Sequence, residues 1–284
     1  MTARITKKRI VIGIAVLLAG VLGTAMTVAY AAFLRSATNT PAQACGDGRP
    51  AAPGPVVVAA GASMTQATLG ADWVGSLRDR PEFGAYEFVN AGSNGNTTAD
   101  LLERVDSDIV ACAPDRVLLL IGTNDVRNEI PLHEFRDNLR GVLDRIHATT
   151  TARIAVMSLP PLGEDLATGI NHRLEEYNDT LETVATDSGA DYLALHERFA
   201  EHLSRAGGDR AAYDFSFALA YRSAAQHYLF GRSWDQVARS HGLELLVDHI
   251  HLGDRGGAIV TDMAARWLVT PGGEVGPQRV VRPG

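Results

Sequence analysis

The stretch PVVVAAGAS, residues 55–63, decides the fold, because a β-rich apolar run leads directly into a glycine and a serine. Four similar runs follow: YEFVNA (86–91), RVLLLI (116–121), RIAVMS (153–158) and DYLAL (191–195). Helical patterns separate them near 66–80, 97–108, 132–148 and 165–188, and GDRGGAIVTDMAARWLV (253–269) supplies a last one. This alternation predicts an α/β fold of three layers, in which helices cover both faces of a doubly wound, five-stranded parallel sheet.

The start of the chain has the composition of a membrane-targeting element. Residues 10–34, IVIGIAVLLAGVLGTAMTVAYAAFL, carry no charge and follow the basic run KKR. Such a segment predicts a signal peptide or an anchor whose basic end stays in the cytoplasm. Ala29-Tyr30-Ala31 has the pattern of a cleavage site, but the apolar run is longer than the usual signal core. We therefore expect the rest of the chain to be extracytoplasmic, either membrane-anchored or secreted after cleavage.

Composition divides the chain into four parts. Residues 1–35 form the anchor or signal peptide, and residues 36–54, SATNTPAQACGDGRPAAPG, are predicted to be a flexible linker. Residues 55–270 form the α/β domain, and residues 271–284 are predicted to be a loose tail.

Acidic residues predominate beyond the N-terminal segment. The net charge is -7, with 26 basic and 33 acidic residues. All the acidic residues and all but five of the basic ones lie after residue 35. A surface this acidic argues against nucleic acid as a partner.

Polar residues follow the predicted strands at the carboxyl edge of the sheet, where folds of this class bind ligands. These strand exits are Gly61-Ala62-Ser63, Gly92-Ser93-Asn94-Gly95-Asn96 and Gly122-Thr123-Asn124-Asp125. Each has an ordinary interpretation, as a helix cap or a turn. Together they match the requirements of acyl transfer, which needs a nucleophilic oxygen, a base, an acid that orients the base, and donors for an oxyanion.

The stretch VDHIHLGDRGG, residues 247–257, has two interpretations. Asp248, His249, His251 and Asp254 are all possible metal ligands. Asp248 and His251 are equally suited to be two members of a catalytic triad whose nucleophile lies elsewhere. Local spacing leaves both interpretations open.

Four segments, VVAAGASMT, NAGSNGNTT, LLIGTND and VDHIHL, resemble in order the four sequence blocks of the SGNH/GDSL hydrolases. This family of serine esterases and lipases is named for an invariant Ser, Gly, Asn and His. The resemblance covers residues 55–270 and implies that they form an SGNH hydrolase domain. The first block departs from the family's Gly-Asp-Ser-Leu, since Ala62 and Met64 flank Ser63. The missing Asp is not a triad member, so the departure bears on loop support and rate more than on mechanism.

The resemblance implies a role for each matching residue. Ser63 would be the nucleophile, His251 the general base, and Asp248 the acid that orients the imidazole. The oxyanion hole would consist of the backbone N–H groups of Ser63 and Gly95 and the side-chain amide of Asn124. A glycine lets the backbone approach a substrate closely, and an uncharged amide can donate to the oxyanion.

The resemblance also weighs against a metal site. The family needs no metal, and no other clustered His, Cys or Asp group in the sequence completes a set of ligands. We therefore expect no metal and no cofactor, and we interpret His249 as a structural residue or a contact at the rim of the site.

The two cysteines, Cys45 and Cys112, are predicted to form a disulfide, since export permits one. If the strand order is the flavodoxin-like 2-1-3-4-5, strands one and three are neighbours. Both cysteines then precede their strands at the edge away from the predicted active site. A bridge there would pin the linker to the base of the domain.

Some fifty residues lie between the fifth strand and the Asp-x-x-His block, more than a simple connection needs. We predict a helical insertion here, rich in aromatic residues between 213 and 234. Phe217, Tyr221, Ala224 and Tyr228 recur at helical spacing and give this helix one apolar face. The helix either packs on the core or walls the acyl pocket as a lid.

The sequence therefore predicts an exported hydrolase that cleaves carboxylic esters through an acyl-enzyme on Ser63. The aromatic insertion favours lipid-like or aryl esters, and the same triad would serve a polysaccharide O-acetyl esterase. Two other classes stay open: a catalytically weak, surface-anchored glycan-binding domain, for which Ala62 argues, and a metal-dependent hydrolase. Expected partners are a small-molecule, lipid or glycan ester and, without cleavage, the membrane around residues 10–34.

Overall fold

The computed structural model describes residues 7–46, 48–207 and 209–271. It confirms the doubly wound α/β prediction: parallel strands lie in the order β2-β1-β3-β4-β5, with helices on both faces. The strands are β1 (Val56–Gly61), β2 (Glu87–Gly92), β3 (Arg116–Leu120), β4 (Arg153–Met157) and β5 (Asp191–Leu193). The last strand is shorter than predicted because Leu195 already begins a helix.

The α-helices, in chain order, are α1 (Lys7–Ala29), α2 (Pro41–Ala44), α3 (Ser63–Gln66), α4 (Trp73–Arg78), α5 (Thr98–Glu103), α6 (Val105–Asp108), α7 (Thr123–Arg127), α8 (Leu132–Thr149), α9 (Gly169–Asp187), α10 (Leu195–Ala206), α11 (Phe217–Tyr228), α12 (Trp234–Ser240) and α13 (Asp254–Val269). A π-helical turn, Tyr30–Leu34, continues α1. The helix predicted at 66–80 is instead α3 and α4, since left-handed backbone at Ala67 and a positive φ at Gly70 turn the chain between them. The one predicted at 97–108 divides at Arg104.

β1 lies at the centre of two hydrophobic cores. Its side chains point alternately to the two faces of the sheet, and all six residues are buried. Val57 and Ala59 pack on one face with residues of α4 and α13, whereas Val56, Val58 and Ala60 pack on the other with residues of α8 and α9. Burial on both faces explains why the strand is continuously apolar, and it fixes the position where Ser63 follows.

The predicted disulfide is confirmed: Cys45 and Cys112 are bonded, with their Cα atoms 5.1 Å apart. The segment before β1 also contacts the sheet edge through Asn39. Its amide donates to the carbonyl of Phe88 on β2 (2.8 Å), and its own carbonyl accepts from the N–H of Asn90 (3.0 Å). The segment predicted as a linker therefore touches the domain at several points. The four domain boundaries stay predictions, and the tail beyond residue 271 lies outside the described residues.

The apolar N-terminal segment is helical. Val11–Leu34 is long and apolar enough to cross a membrane, with a mean hydropathy of 2.3, although a signal sequence would meet the same criteria. Most of this span is exposed, but Val28 and Ala32 near its end are each only 1% exposed. The last turns of the segment therefore pack against the folded domain.

The helical insertion before the Asp-x-x-His block is also confirmed, as α11 and α12. The Tyr221 hydroxyl donates to the carbonyl of Ala25 on α1 (3.1 Å), and the Tyr228 hydroxyl donates to the carbonyl of Thr68 (2.5 Å). The tyrosine face of α11 thus packs on α1 and the domain core, which favours the packed-helix interpretation over the lid.

Candidate active site

Ser63 is placed by close packing between the ends of β1 and β2. It is the first residue of α3, so its backbone N–H has no acceptor within the helix. A Cβ at Gly92 would lie 2.2 Å from the backbone nitrogen of Gln66, and one at Gly61 would lie 2.4 Å from Thr65 Oγ1, both on α3. Glycine is therefore required at both strand ends for α3 to approach the sheet this closely.

The turn of α3 is held without the Asp that usually precedes the family's serine. The indole N–H of Trp73 donates to the carbonyl of Met64 (3.1 Å), and the side-chain amide of Asn90 donates to the carbonyl of Thr65 (2.7 Å). Ala62, in the place of the Asp, is buried in the core between the sheet and α8. Apolar packing and these two donors supply the support for the loop.

Ser63, His251 and Asp248 form a hydrogen-bonded chain. The imidazole Nε2 of His251 lies 3.0 Å from Ser63 Oγ, and its Nδ1 lies 2.8 Å from Asp248 Oδ2. The backbone N–H groups of Ile250 and His251 donate to Asp248 Oδ1 at 3.2 and 2.9 Å. Burial favours a raised pKa for Asp248, but the electrostatic interaction with His251 and these hydrogen bonds hold the pKa below its usual value. The geometry is that of a nucleophile, a base and an orienting carboxylate.

The predicted oxyanion donors lie at the ends of β2 and β3. The Asn124 amide donates to the carbonyl of Asn96 (2.9 Å), and its oxygen accepts from Arg127 Nη1 (3.0 Å). An amide nitrogen carries two hydrogens, so one remains for a ligand. Gly95 has a φ of 79°, and a Cβ there would meet no atom within 4 Å. Among the described residues, none accepts a hydrogen bond from the Gly95 N–H.

Arg127 is a site residue that the sequence prediction missed. Its Nε donates to the Tyr213 hydroxyl (2.8 Å), and its guanidinium lies 4.8 Å from the ring centroid of Phe215. Phe215 in turn lies 6.4 Å from the imidazole of His251, measured between centroids. The start of the insertion thus connects the base to the residue that orients Asn124. The only signal in the sequence is the i,i+3 spacing of Asn124 and Arg127 on one helix.

Glu164 is a second missed residue, and it anchors the loop that carries Asp248. Glu164 is only 1% exposed. Its carboxylate accepts hydrogen bonds from the backbone N–H groups of Glu244, Leu245 and Leu246 at 2.7–3.1 Å. About 80 residues separate the partners along the chain. Sequence spacing therefore gave no sign of this contact.

His249 is buried in the loop, between Asp248 and His251 in the sequence. Its backbone is left-handed (φ 72°), and its carbonyl accepts the N–H of Gly163 (2.8 Å). Its Nδ1 is buried without a partner among the described residues, and burial lowers the pKa of the imidazole although Asp248 opposes this. Asp254 instead accepts the N–H of Asp235 (2.9 Å). Within residues 11–46, 48–205 and 209–271, no group of three or more His, Cys, Asp or Glu side chains is placed to hold a metal.

Comparison with known proteins shows the family of the chain. Residues 58–259 match the model of the GDSL-like lipase/acylhydrolase family. The acetylxylan esterase of Geobacillus stearothermophilus is 28% identical over 166 residues, which cover 54% of this chain and 72% of that protein.

Solved structures agree on the fold. The acetyl xylan esterase AlAXEase superposes with a TM-score of 0.59 at 20% identity, over 75% of this chain and all of that one. The acetylxylan esterase Axe2 from Geobacillus stearothermophilus gives 0.57 at 19% identity, over 78% and 96%. Since the family match extends over more than half of the sequence, the chain belongs to the GDSL-like lipase/acylhydrolase family and is a carboxylic ester hydrolase.

Proposed function

We propose that the protein is an exported, membrane-anchored serine esterase that removes small acyl groups, acetyl above all, from glycans. The observation that carries the proposal is the hydrogen-bonded chain from Ser63 Oγ through His251 to the buried carboxylate of Asp248. Such a chain can raise the nucleophilicity of the serine without a metal or cofactor.

The proposed reaction has two acyl transfers. Ser63 Oγ attacks the ester carbonyl while His251 Nε2 takes its proton, and the resulting oxyanion accepts hydrogen bonds from Ser63 N–H, Gly95 N–H and the Asn124 amide. The C–O bond to the alcohol then breaks, and His251 returns the proton to the departing oxygen. Water attacks the acyl-enzyme by the same route, releasing the acid and free Ser63. Asp248 stabilises the imidazolium in both steps.

Three observations favour a small acyl group on a glycan over the lipid-like and aryl esters suggested by the aromatic insertion. His251 and Asn124 are only 8% and 6% exposed, which leaves little room beside the reacting atoms. The relatives named above are acetylxylan esterases. Tyr221 and Tyr228, two of the aromatic residues of the insertion, are engaged by α1 and Thr68.

Retention of residues 10–34 as an anchor is part of the proposal. Cleavage at Ala29-Tyr30-Ala31 would remove Val28, which is buried in the domain core, and Ala25, whose carbonyl binds Tyr221. We further propose residues 55–270 as the catalytic domain. The anchored form differs in mass from a cleaved form, so intact mass of the cell-associated protein tests this part directly.

The activity is tested with p-nitrophenyl esters from acetate to palmitate and with acetylated xylo-oligosaccharides, in the presence of a chelator. We expect fastest hydrolysis of acetate, release of acetate from the glycan, no effect of the chelator, and no activity in Ser63→Ala. A preference for palmitate would refute the small-acyl assignment. Inactivity of a folded wild-type protein on every ester would favour the glycan-binding alternative, and loss of activity on chelation would favour a metal-dependent hydrolase.

A further inference from the structure

The last turns of the apolar N-terminal segment lie beside the active site. Three side chains close in sequence to Ser63 or Gly95 bind carbonyls of this segment: Thr68 Oγ1 to Ala32 at 2.8 Å, Asn94 Nδ2 to Phe33 at 3.1 Å, and Gln66 Nε2 to Arg35 at 2.7 Å. The segment that is apolar enough to cross a membrane therefore emerges at the rim of the catalytic site.

Helix α11 runs beside α1 in the same direction. The Tyr221 hydroxyl donates to the carbonyl of Ala25 (3.1 Å). Seven residues further along α11, the Tyr228 hydroxyl accepts a hydrogen bond from the guanidinium of Arg35 (3.3 Å). Phe217 precedes Tyr221 by four residues, which is about 6 Å along a helix axis. It therefore lies further toward the basic end of α1 than Ala25.

Phe217 is an exposed apolar side chain connected to the site. It is 75% exposed, and its ring lies 5.5 Å from that of Phe215, which also contacts the imidazole of His251. Phe230, beyond the opposite end of α11, is 72% exposed. The two phenylalanines are thus equally exposed but lie at opposite ends of the helix.

The depth of Phe217 follows from the length of the anchor. A bilayer's hydrocarbon core is about 30 Å thick, which about 20 helical residues span, so a helix that enters near Ile10 leaves near Tyr30. Tyr30 is exposed, as expected of an aromatic side chain at a membrane interface. Ala25 then lies within the outer leaflet, and Phe217 beside it.

We propose that the first turn of α11 inserts into the outer leaflet of a lipid bilayer, with Phe217 as the inserted side chain. The catalytic site then opens at the membrane surface, and its substrates are esters held close to that surface. The inference rests on the proposed anchor and names the orientation that the anchor imposes. Insertion of an exposed aromatic residue next to a spanning helix removes apolar surface from water.

The test uses the full chain in phosphatidylcholine nanodiscs, with an environment-sensitive fluorophore on Phe217→Cys or, as the matched control, on Phe230→Cys. Both native cysteines are in the disulfide, so labelling without reductant is specific. We expect a blue-shifted emission at position 217 that doxyl-labelled lipids quench at least twofold more than at position 230. Equal emission and equal quenching at the two positions would overturn the inference.

Two controls separate the possible failures. Thermal melting of each labelled variant identifies a misfolded one; if Phe217→Cys does not fold, the fluorophore is moved to Ala218→Cys, one residue along the same exposed turn. Hydrolysis of p-nitrophenyl acetate by the wild-type protein in the same nanodiscs reports on the proposed function. Hydrolysis without quenching refutes membrane insertion alone, whereas quenching without hydrolysis supports insertion and counts against the proposed small-acyl activity. A mass corresponding to cleavage after Ala31 refutes both the anchor and the insertion.

Discussion

The loop of residues 244–251 and helix α11 both lie between the last strand and the last helix, yet they present opposite surfaces. In the loop, Asp248 is fully buried, and the carboxylates of Glu164 and Asp248 accept the backbone N–H groups. In α11, the first turn exposes Phe217 to the surroundings. The residues proposed to take part in the reaction are buried and held by hydrogen bonds, whereas the residue proposed to orient the protein at the membrane is exposed. Substitutions at the buried polar residues of the candidate site should reduce activity or stability, and those at Phe217 should change only location.

The largest effect is expected for Ser63→Ala. Removal of the nucleophile from a serine, histidine and aspartate site lowers kcat by roughly 10⁴-fold or more. The measurement is p-nitrophenyl acetate hydrolysis, with Ser76→Ala, a serine on the surface of α4, as control. Equal activity of the two variants would show that the reaction uses another nucleophile.

The next effect concerns stability. Glu164→Ala leaves three backbone N–H groups of the loop without their acceptor, and we expect a loss of about 3 kcal/mol or more in the free energy of unfolding. Urea unfolding measures it. Glu201→Ala, on the exposed face of α10, should change stability by less than about 0.5 kcal/mol. If Glu164→Ala were as stable as Glu201→Ala, the loop would not depend on this carboxylate.

The proposed oxyanion hole gives the third effect. Asn124→Ala removes one donor, and we expect kcat to fall about 10²- to 10³-fold. Asn128→Ala, four residues along the same segment and exposed, is the matched control and should leave kcat unchanged. A change in KM alone would instead indicate that Asn124 binds the ground state.

The smallest effect is a pH dependence of stability. The pKa of His249 is lowered by burial, so the unfolded chain binds a proton there more readily than the folded one. The stability that neutral His249 contributes is therefore present above about pH 6.5, the usual pKa of histidine, and is lost as the pH falls. His249→Asn retains a residue that tolerates left-handed backbone and should flatten this slope in urea titrations between pH 5 and 7. An unchanged slope would assign the dependence to another group.

The sequence predicted the sheet, the disulfide and the insertion, because each leaves a local pattern: apolar runs that end at glycines, two cysteines before neighbouring strands, and aromatic residues at helical spacing. It also predicted residues whose side chains the fold brings together, Ser63 with Asp248 and His251, because their segments resemble blocks of the SGNH/GDSL hydrolases. The catalytic roles of these residues stay predictions until the variants are measured.

The sequence did not predict the contacts between residues that lie far apart along the chain. In the sequence nothing distinguishes Glu164 from an acidic residue on the surface, but in the fold it lies against the loop. Arg127 has no partner within its own helix other than Asn124. The break between α3 and α4 was missed because alanine favours a helix, so nothing in the sequence indicates the left-handed backbone of Ala67. The contacts that Ala32 and Arg35 make with Thr68 and Gln66 were missed, because the composition of the N-terminal segment indicated a membrane helix and gave no sign of packing on the domain.

The disulfide affects how long each folded molecule stays active. It closes a loop 67 residues long that contains β1, Ser63 and β2, and in a chain-entropy treatment such a closure stabilises the fold by roughly 4 kcal/mol. Because the bridge lies at the edge of the sheet away from Ser63, reduction should leave catalysis intact at first and shorten the working life of each molecule. Residual activity after exposure to a protease, with and without a reductant, measures that lifetime.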